Sequence, residues 1–156
     1  MNKIIILMGA PGSGKSTYAN STALMYQIIC ADDVRKALGQ DGLSMDPRLE
    51  SIVHSTTNIM CRAHMERRLD IIIDYCNTMT WSIEKWIKMG REYDYKIFGV
   101  MFDTDLQTCL SRRKQFIEKN GKEPIIRMHN QFKELREQLK EDALRECLFD
   151  GFQILS

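Results

Sequence analysis

The chain has 156 residues, of which 44% are hydrophobic and 28% are charged, and its formal net charge at pH 7 is +1. This composition excludes a disordered chain, and the length suits a single core, so we expect one domain over residues 1–156. A nearly neutral chain has no overall field that attracts a nucleic acid or a membrane. Any polyanion must therefore be held by a local patch of charge.

The first predicted strand, residues 3–8, runs directly into the stretch GAPGSGKST at residues 9–17. Glycine gives such a loop a strained backbone at little steric cost and lets backbone N–H groups approach an anion. The helix expected next adds unpaired N–H groups and the positive end of its dipole. The stretch matches G-x-x-x-x-G-K-[ST] at every defined position, which is the pattern of a phosphate-binding P-loop.

The P-loop pattern predicts ATP and Mg²⁺ as ligands, with Lys15 on the β- and γ-phosphates and the Ser16 hydroxyl on the metal. A tight strand-to-helix turn without a ligand is the alternative, and it does not account for the complete match. The residues expected to surround the phosphates are Gly9, Ala10, Pro11, Gly12, Ser13, Gly14, Lys15, Ser16 and Thr17.

The second predicted strand, residues 27–30, is followed by ADDVRKALG. A short helix starting near Asp33 makes Asp32 its N-cap or the residue just before it, with Arg35 close behind. At this edge a carboxylate can accept a hydroxyl proton, and an arginine can bind the phosphate of an acceptor with paired N–H donors. The alternative is that Asp32 or Asp33 only caps the helix.

A helix is predicted over residues 48–68, with Pro47 just before it, where proline suits the start of a helix, and a third strand is predicted over 70–74. The positions expected on the core face of this helix are Leu49, Ile52, Val53, Thr56, Ile59, Met60 and Ala63. The third strand ends in Asp74, which we expect near Mg²⁺, with Asn77 shaping the same rim. A turn residue that closes the strand is the alternative for Asp74, and a structural role is the alternative for Asn77.

Further elements are predicted as a helix over 81–92, a strand over 95–102 and a helix over 125–139, and the final CLFDGFQIL can add a short strand. In the helix over 81–92, the apolar residues Trp81, Ile83, Trp86, Ile87 and Met89 fall partly on one side. Strands that alternate with helices indicate crossover units, a parallel sheet and ligands at the carboxyl ends of the strands.

A basic segment, SRRKQFIEKNGKEPIIR, precedes the last of these helices. Its Asn120-Gly121 turn and Pro124 divide it into two arms, which predicts a mobile lid over about 112–127. Arg112 and Arg113 are the candidates to stabilise the charge on a transferring phosphoryl group. A solvated basic face is the alternative, and it is favoured for Lys119 and Lys122. The predicted fold class is α/β, a P-loop NTPase-type parallel sheet sandwiched by helices, with a helical lid.

Over residues 2 to about 140 the chain resembles the bacteriophage polynucleotide 5′-kinase family, within the P-loop kinases that include zeta-toxin-like enzymes. The likeness rests on GAPGSGKST, DDVR, IIIDYCN, YDYKIFGVMFD and the basic lid with its proline. It implies that Asp32 is the general base, that Arg35 binds the acceptor phosphate and that Asp74 and Asn77 contact the acceptor. The chain departs from the family at Phe116, which stands four residues after Arg112 where a second lid arginine is usual.

We therefore expect an ATP- and Mg²⁺-dependent kinase acting on the 5′-hydroxyl of DNA or RNA ends. A kinase of a nucleotide or sugar nucleotide is the first alternative, because the scaffold serves many acceptors. A nucleotide-binding switch is the second, although the chain has no N-K-x-D motif. The five cysteines contain no C-x-x-C pair, and residues 4–8 are too short a run for a membrane span. We expect a cytoplasmic kinase module without a membrane partner, in the host cytoplasm if a phage encodes it.

Overall fold

The computed structural model describes residues 1–43 and 46–156, which form one parallel sheet flanked by helices. The sheet has five strands in the order β2-β3-β1-β4-β5, and each neighbouring pair is parallel. The predicted α/β class, a parallel sheet sandwiched by helices, is confirmed. The elements in chain order are β1 (Lys3–Met8), α1 (Lys15–Ser21), β2 (Gln27–Cys30), α2 (Ala31–Ala37), α3 (Pro47–Glu66), β3 (Ile71–Asp74), α4 (Thr80–Glu92), β4 (Lys96–Phe102), α5 (Leu106–Ser111), α6 (Lys114–Asn120), α7 (Glu123–Gln138), α8 (Asp142–Leu148) and β5 (Gly151–Leu155).

The central strand β1 is apolar on both faces, as a strand in a covered parallel sheet must be. Successive side chains alternate between the faces, so Ile4, Ile6 and Met8 join one core cluster and Ile5 and Leu7 join the other. The first cluster is completed by apolar side chains of α3, α4 and α7, and the second by α1. The last long helix, α7, thus packs against the sheet through Phe132 and Leu135.

The core face of α3 differs from the predicted one. Its buried residues are Val53, Thr57, Cys61 and Met65, at a strict spacing of four. Ile52 and Ile59, which we expected in the core, are 47% and 68% exposed. A helix that contacts the core along so narrow a strip leaves the flanking apolar positions in solvent, and hydrophobic spacing alone does not reveal the width of that strip.

In α4 the residues Ile83, Trp86, Ile87 and Met89 are buried as predicted, whereas Trp81 is 66% exposed. Trp81 lies in the first turn of the helix, before the first buried residue, Ile83. The short strand predicted near the C-terminus is confirmed as β5, which pairs in parallel with β4 at the edge of the sheet.

All five strands point the same way, so the loops that follow β1, β2, β3 and β4 emerge at one edge of the sheet. The glycine-rich loop, α2, the end of β3 and the segment before α5 therefore meet there. Within the described parts of the chain, no helix combines the length and apolar character that crossing a bilayer requires.

Candidate active site

The glycine-rich loop wraps around the space between β1 and α1. Gly12 and Gly14 have φ values of 83° and 107°, a left-handed backbone that side chains other than glycine adopt only with strain. A Cβ at Gly12 would also lie 2.7 Å from the carbonyl oxygen of Cys109. Gly9 and Ala10, the first two residues of the loop, are buried, and the Gly9 N–H donates to the Cys76 carbonyl oxygen at 2.8 Å. The loop conformation thus needs glycine at positions 12 and 14.

Lys15 is a buried cation inside this loop. Its ammonium donates to the carbonyl oxygens of Gly9 and Ala10 at 2.8 and 2.9 Å, and to Ser13 Oγ at 3.3 Å. All three acceptors belong to the loop itself, and no carboxylate neutralises the ammonium by an ion pair within the described residues. The charge therefore remains available to an anion that enters the loop.

Ser16 and Asp74 bring the loop and the end of β3 together. Ser16 Oγ donates to Asp74 Oδ2 at 2.8 Å. Burial raises the pKa of Asp74, while the Ser16 hydrogen bond and the charge of Lys15 act in the opposite direction. Burial and the charge of Asp74 also raise the pKa of the neighbouring Cys30 thiol to about 12, so this thiol stays protonated at neutral pH.

A hydroxyl and a carboxylate at hydrogen-bond distance are oxygen donors of the kind that Mg²⁺ prefers. Among the described residues there is no cluster of three or more His, Cys, Asp or Glu side chains arranged for a metal. A magnesium ion at Ser16 and Asp74 would therefore be held mainly by phosphate oxygens and water, which is usual for this metal in phosphate-transferring sites. The residues present fit the ion.

A cavity of about 1100 Å³ opens above the loop, and we call it the donor cavity after the ATP that sequence analysis predicts there. Its polar atoms come from the loop, from the segment after β4 and from the start of the basic segment. Thr104 Oγ1 donates to the Ser13 carbonyl oxygen at 2.8 Å, and Arg112 Nη1 donates to the Gly12 carbonyl oxygen at 3.1 Å. Lining residues include Gly12, Ser13, Gly14, Lys15, Ser16 and Thr17, as predicted for the phosphate site.

A second cavity, of about 410 Å³, has Pro11 of the loop in its wall, and we call it the acceptor cavity after the role predicted for its lining residues. The predicted residues Asp32, Arg35, Asp74 and Asn77 all line it. The order of the strands explains this meeting, because β2 and β3 are neighbours and end at the same edge. The structure therefore brings together the side chains that sequence analysis assigned to the acceptor.

The predicted N-cap role of Asp32 is wrong. Helix α2 begins at Ala31 directly after β2, Cys30 is its N-cap, and Asp32 and Asp33 both lie within the first turn. The chain makes no loop between the strand and the helix, so the helix starts at Ala31, earlier in the chain than the expected start near Asp33. Asp32 Oδ1 instead accepts a hydrogen bond from Arg35 Nη1 at 2.6 Å.

Glu50, on α3, is the residue of this site that sequence analysis missed. Its carboxylate accepts from Arg35 Nε and Nη2, both at 2.9 Å. These bonds and the Asp32 bond use three of the five N–H groups of Arg35, and the other two have no partner among residues 1–43 and 46–156. The guanidinium lowers the pKa of Glu50 and keeps it ionised. No spacing in the sequence relates these residues, and only the packing of α2 on α3 reveals the pair.

Asn77 is buried and has a left-handed backbone, with φ of 48°. Its Nδ2 donates to the Leu7 carbonyl oxygen at 2.7 Å, which ties the segment after β3 to the end of β1. Its Oδ1 is buried and has no hydrogen-bond partner among the described residues. The amide thus has a structural contact on one side, and the contact with an acceptor stays a prediction.

The predicted break in the basic segment is confirmed. Helix α6 ends at Asn120, Gly121 has φ of 78°, and α7 starts at Glu123 with Pro124 in its first turn. Lys119 is exposed, as expected for a solvated face, and it also forms an ion pair with Asp41 at 2.6 Å. This contact joins the end of α6 to the loop after α2. We keep the term lid for residues 112–127.

The two lid arginines occupy different places. Arg112 lines the donor cavity alone, whereas Arg113 lines both the donor and the acceptor cavity. The Arg113 guanidinium lies over the Phe116 ring, 5.1 Å from its centroid, and its buried Nε has no hydrogen-bond partner in the described residues. Phe116, which replaces the expected second arginine, therefore supports the adjacent Arg113.

A parallel sheet with a P-loop after β1, a carboxylate at the end of β3 and a helical lid defines the class of protein, a P-loop kinase domain. The chain belongs to the AAA domain family AAA_33, whose model matches residues 4–141. This class implies ATP as the phosphate donor, usually together with Mg²⁺.

Three relatives extend this finding. The chain is 28% identical over 126 residues to a protein of Autographa californica nuclear polyhedrosis virus with the provisional name bifunctional polynucleotide kinase/RNA ligase, covering 70% of this chain and 17% of that protein. A chain in the structure of the Pnkp1/Rnl/Hen1 RNA repair complex matches with a TM-score of 0.76 and 27% identity, covering 88% of this chain and 46% of that chain. The APS kinase of Mycobacterium tuberculosis, solved with AMPPNP and APS, shares the fold at a TM-score of 0.56 and 17% identity, covering 76% of this chain and 72% of its own.

This chain spans less than half the length of the first two of these relatives. It is thus similar to the portion of each that it covers, and its likeness to the APS kinase is one of fold.

Proposed function

We propose that this domain transfers the γ-phosphate of ATP to the 5′-hydroxyl of a DNA or RNA end. The observation that carries the proposal is the meeting of the donor and acceptor cavities at Arg113, with Asp32 and Arg35 in the acceptor cavity. A carboxylate beside an arginine is the pair that a phosphate-bearing alcohol acceptor needs. The resemblance to the phage polynucleotide kinases and the similarity to the viral and RNA-repair proteins also support it.

The reaction needs positioning and charge neutralisation more than covalent chemistry. The acceptor hydroxyl oxygen attacks the γ-phosphorus, the bond from the γ-phosphorus to the bridging oxygen of the β-phosphate breaks, and ADP leaves. Asp32 accepts the hydroxyl proton, because its Oδ2 accepts no hydrogen bond from the described residues while Oδ1 is bound to Arg35.

Charge on the phosphates is balanced from several sides. Lys15 contributes its ammonium from within the loop, and Arg113 contributes a guanidinium at the junction of the cavities. Ser16 and Asp74 would hold Mg²⁺, which neutralises charge on the phosphate oxygens when it is bound. Arg35, which has two N–H groups without a partner in the described part of the chain, would bind the phosphate on the 3′ side of the first nucleoside.

The test is incubation of the protein with γ-labelled ATP, Mg²⁺ and a panel of acceptors. The panel holds DNA and RNA oligonucleotides with a 5′-hydroxyl, the same oligonucleotides with a 5′-phosphate, nucleoside 3′-monophosphates, nucleosides and sugars. We expect label on the 5′-hydroxyl oligonucleotides and none on the 5′-phosphorylated ones. Label on a sugar or nucleoside alone would contradict the proposal and indicate a small-molecule kinase.

A Lys15→Ala variant serves as the control in this assay. Its loss of transfer to every acceptor would link the label to the P-loop rather than to a contaminating kinase, because the ammonium is needed wherever the γ-phosphoryl group goes.

A further inference from the structure

Trp81 differs from the other aromatic residues of this chain in its exposure. It is 66% exposed, whereas every other Phe, Tyr and Trp side chain that the structure describes is buried or partly buried. Trp86, one helical turn and a half further along α4, is fully buried. Trp81 nevertheless belongs to the wall of the acceptor cavity, together with the 41% exposed Met79.

The segment that carries Trp81 is fixed by side-chain hydrogen bonds. Thr78 Oγ1 donates to Gln131 Oε1 at 2.9 Å, and Thr80 Oγ1 donates to Gln138 Oε1 at 3.0 Å. Both bonds tie the start of α4 to α7. An exposed indole on a fixed segment is presented in a defined position, which lowers the entropic cost of a stacked ligand.

The wall around Trp81 combines flat apolar surface with cationic charge. Met79, Pro124 and Met128 contribute apolar surface to the same cavity. Arg127 also lines it and forms no ion pair with any residue in 1–43 or 46–156. A ligand with a planar apolar group next to an anion fits this combination, and a nucleotide has that chemistry, whereas a sugar does not.

We propose that Trp81, with Met79 beside it, is a stacking platform for a base of the nucleic-acid acceptor, and that Arg127 binds a phosphate of the same strand. This proposal rests on the proposed function, since it concerns the acceptor of that reaction. Stacking accepts every base, because each has a π-face, so the platform gives affinity without sequence preference. Base stacking on Trp81 would thus favour an oligonucleotide acceptor over an alcohol that carries no base.

The test compares Trp81→Ala and Trp81→Phe with the wild type on a 5′-hydroxyl oligonucleotide. Stacking losses of this kind predict a rise of about 5- to 150-fold in the acceptor KM for Trp81→Ala, with the ATP KM unchanged. Trp81→Phe should recover most of this loss, because phenylalanine also stacks. Ile59→Ala is the matched control, since Ile59 is 68% exposed on α3 and does not line either cavity.

Oligonucleotides with one abasic nucleotide at the first, second or third position locate the stacked base. With the abasic nucleotide at that position, the acceptor affinity of the wild type should fall by as much as Trp81→Ala lowers it with the intact strand. The acceptor affinity of Trp81→Ala should be the same for this abasic strand as for the intact strand. Quenching of tryptophan fluorescence by the oligonucleotide without ATP should be present in the wild type and absent in Trp81→Phe.

The outcomes separate the two proposals. Labelling of oligonucleotides by the wild type, with an unchanged acceptor KM in Trp81→Ala, would overturn the platform and leave the kinase function standing. The platform would also be overturned if Trp81→Ala weakened the binding of every abasic strand as much as that of the intact strand, because the effect of the substitution would then not depend on a base. A wild type that labels no oligonucleotide would overturn both.

Discussion

The guanidinium of Arg35 and the carboxylate of Glu50 form a two-bond pair, Nε to Oε1 and Nη2 to Oε2, each at 2.9 Å. The pair links α2 to α3 and lies at the acceptor cavity. Because the Arg35 side chain is only 14% exposed, its orientation is set mainly by these bonds. Glu50 therefore acts on the acceptor through Arg35, as a positioning residue.

Glu50→Gln should lower kcat/KM for a 5′-hydroxyl oligonucleotide about 10-fold, because a neutral amide cannot hold both N–H groups of the guanidinium. The ATP KM should not change. The control is Glu92→Gln, which removes an exposed ion pair to Arg62 at 3.0 Å, away from both cavities. Equal effects of the two variants on the acceptor would contradict the positioning role.

The same pair predicts a pH dependence of stability. Arg35 lowers the pKa of Glu50 in the folded chain below the ordinary value of 4.5. The pair therefore stabilises the fold fully above pH 4.5, and this contribution is lost as the pH falls through the lowered pKa. The Tm difference between wild type and Glu50→Gln should be constant from pH 6 to 7.5 and shrink as the pH falls below 4.5 and through the lowered pKa of Glu50. A difference that grows in acid would contradict this assignment.

The strands could be predicted almost to the residue, because each is a short apolar run with a clear end. β1 at residues 3–8 and β2 at 27–30 match the predicted bounds. The P-loop is equally local, since its function depends on consecutive residues. The acceptor side follows from the parallel sheet, which brings the ends of β2 and β3 to one edge.

The pairings across the site could not be predicted. Glu50 meets Arg35 only because α3 packs on α2, and fifteen residues separate them along the chain. Similarly, the lid sequence gives no means to rank Arg112 against Arg113, because the difference arises from which cavity wall each one joins. Tertiary packing decides such contacts, and hydrophobic spacing does not encode it.

Asp74→Asn should remove activity and stabilise the free protein. Burial raises the pKa of Asp74 in the folded state, so its ionised form opposes folding above the unfolded-state pKa, and this cost is relieved as the pH falls through the raised value. Asparagine is neutral at every pH. We expect a higher Tm at pH 7 in Mg²⁺-free buffer, by about 2–4 °C per kcal/mol recovered, and a loss of turnover of about 100-fold or more.

Mg²⁺ should raise the Tm of the wild type in the presence of ADP, and this rise should be smaller in Asp74→Asn, because one oxygen donor of the proposed site is weakened. A variant that melts at a lower temperature than the wild type without Mg²⁺ would show that the Ser16 hydrogen bond outweighs the cost of burial.

Arg113→Ala should lower kcat by about 10³-fold or more, while Arg112→Ala should mainly raise the ATP KM. The reason is their position, since Arg113 lines both cavities and Arg112 lines the donor cavity and donates to the Gly12 carbonyl oxygen. Single-turnover kinetics at saturating ATP separates the two effects. The reverse pattern would assign the transferring phosphoryl group to Arg112, and wild-type turnover in the double variant would mean that the lid does not take part.

Asp32→Asn tests the acceptor chemistry most directly, because asparagine keeps the size of the side chain but cannot take a proton. We expect transfer to a 5′-hydroxyl oligonucleotide to fall by about 10²- to 10⁴-fold, with the ATP affinity nearly unchanged. Asp33→Asn is the matched control, since Asp33 lies in the same first turn of α2 but does not line the acceptor cavity. Asparagine can still accept the hydrogen bond that Arg35 Nη1 donates at 2.6 Å, so the guanidinium should keep its place and the acceptor KM should change little. A large rise in that KM with kcat intact would make Asp32 a partner of Arg35 rather than a base, and a loss confined to Asp33→Asn would move the base by one residue.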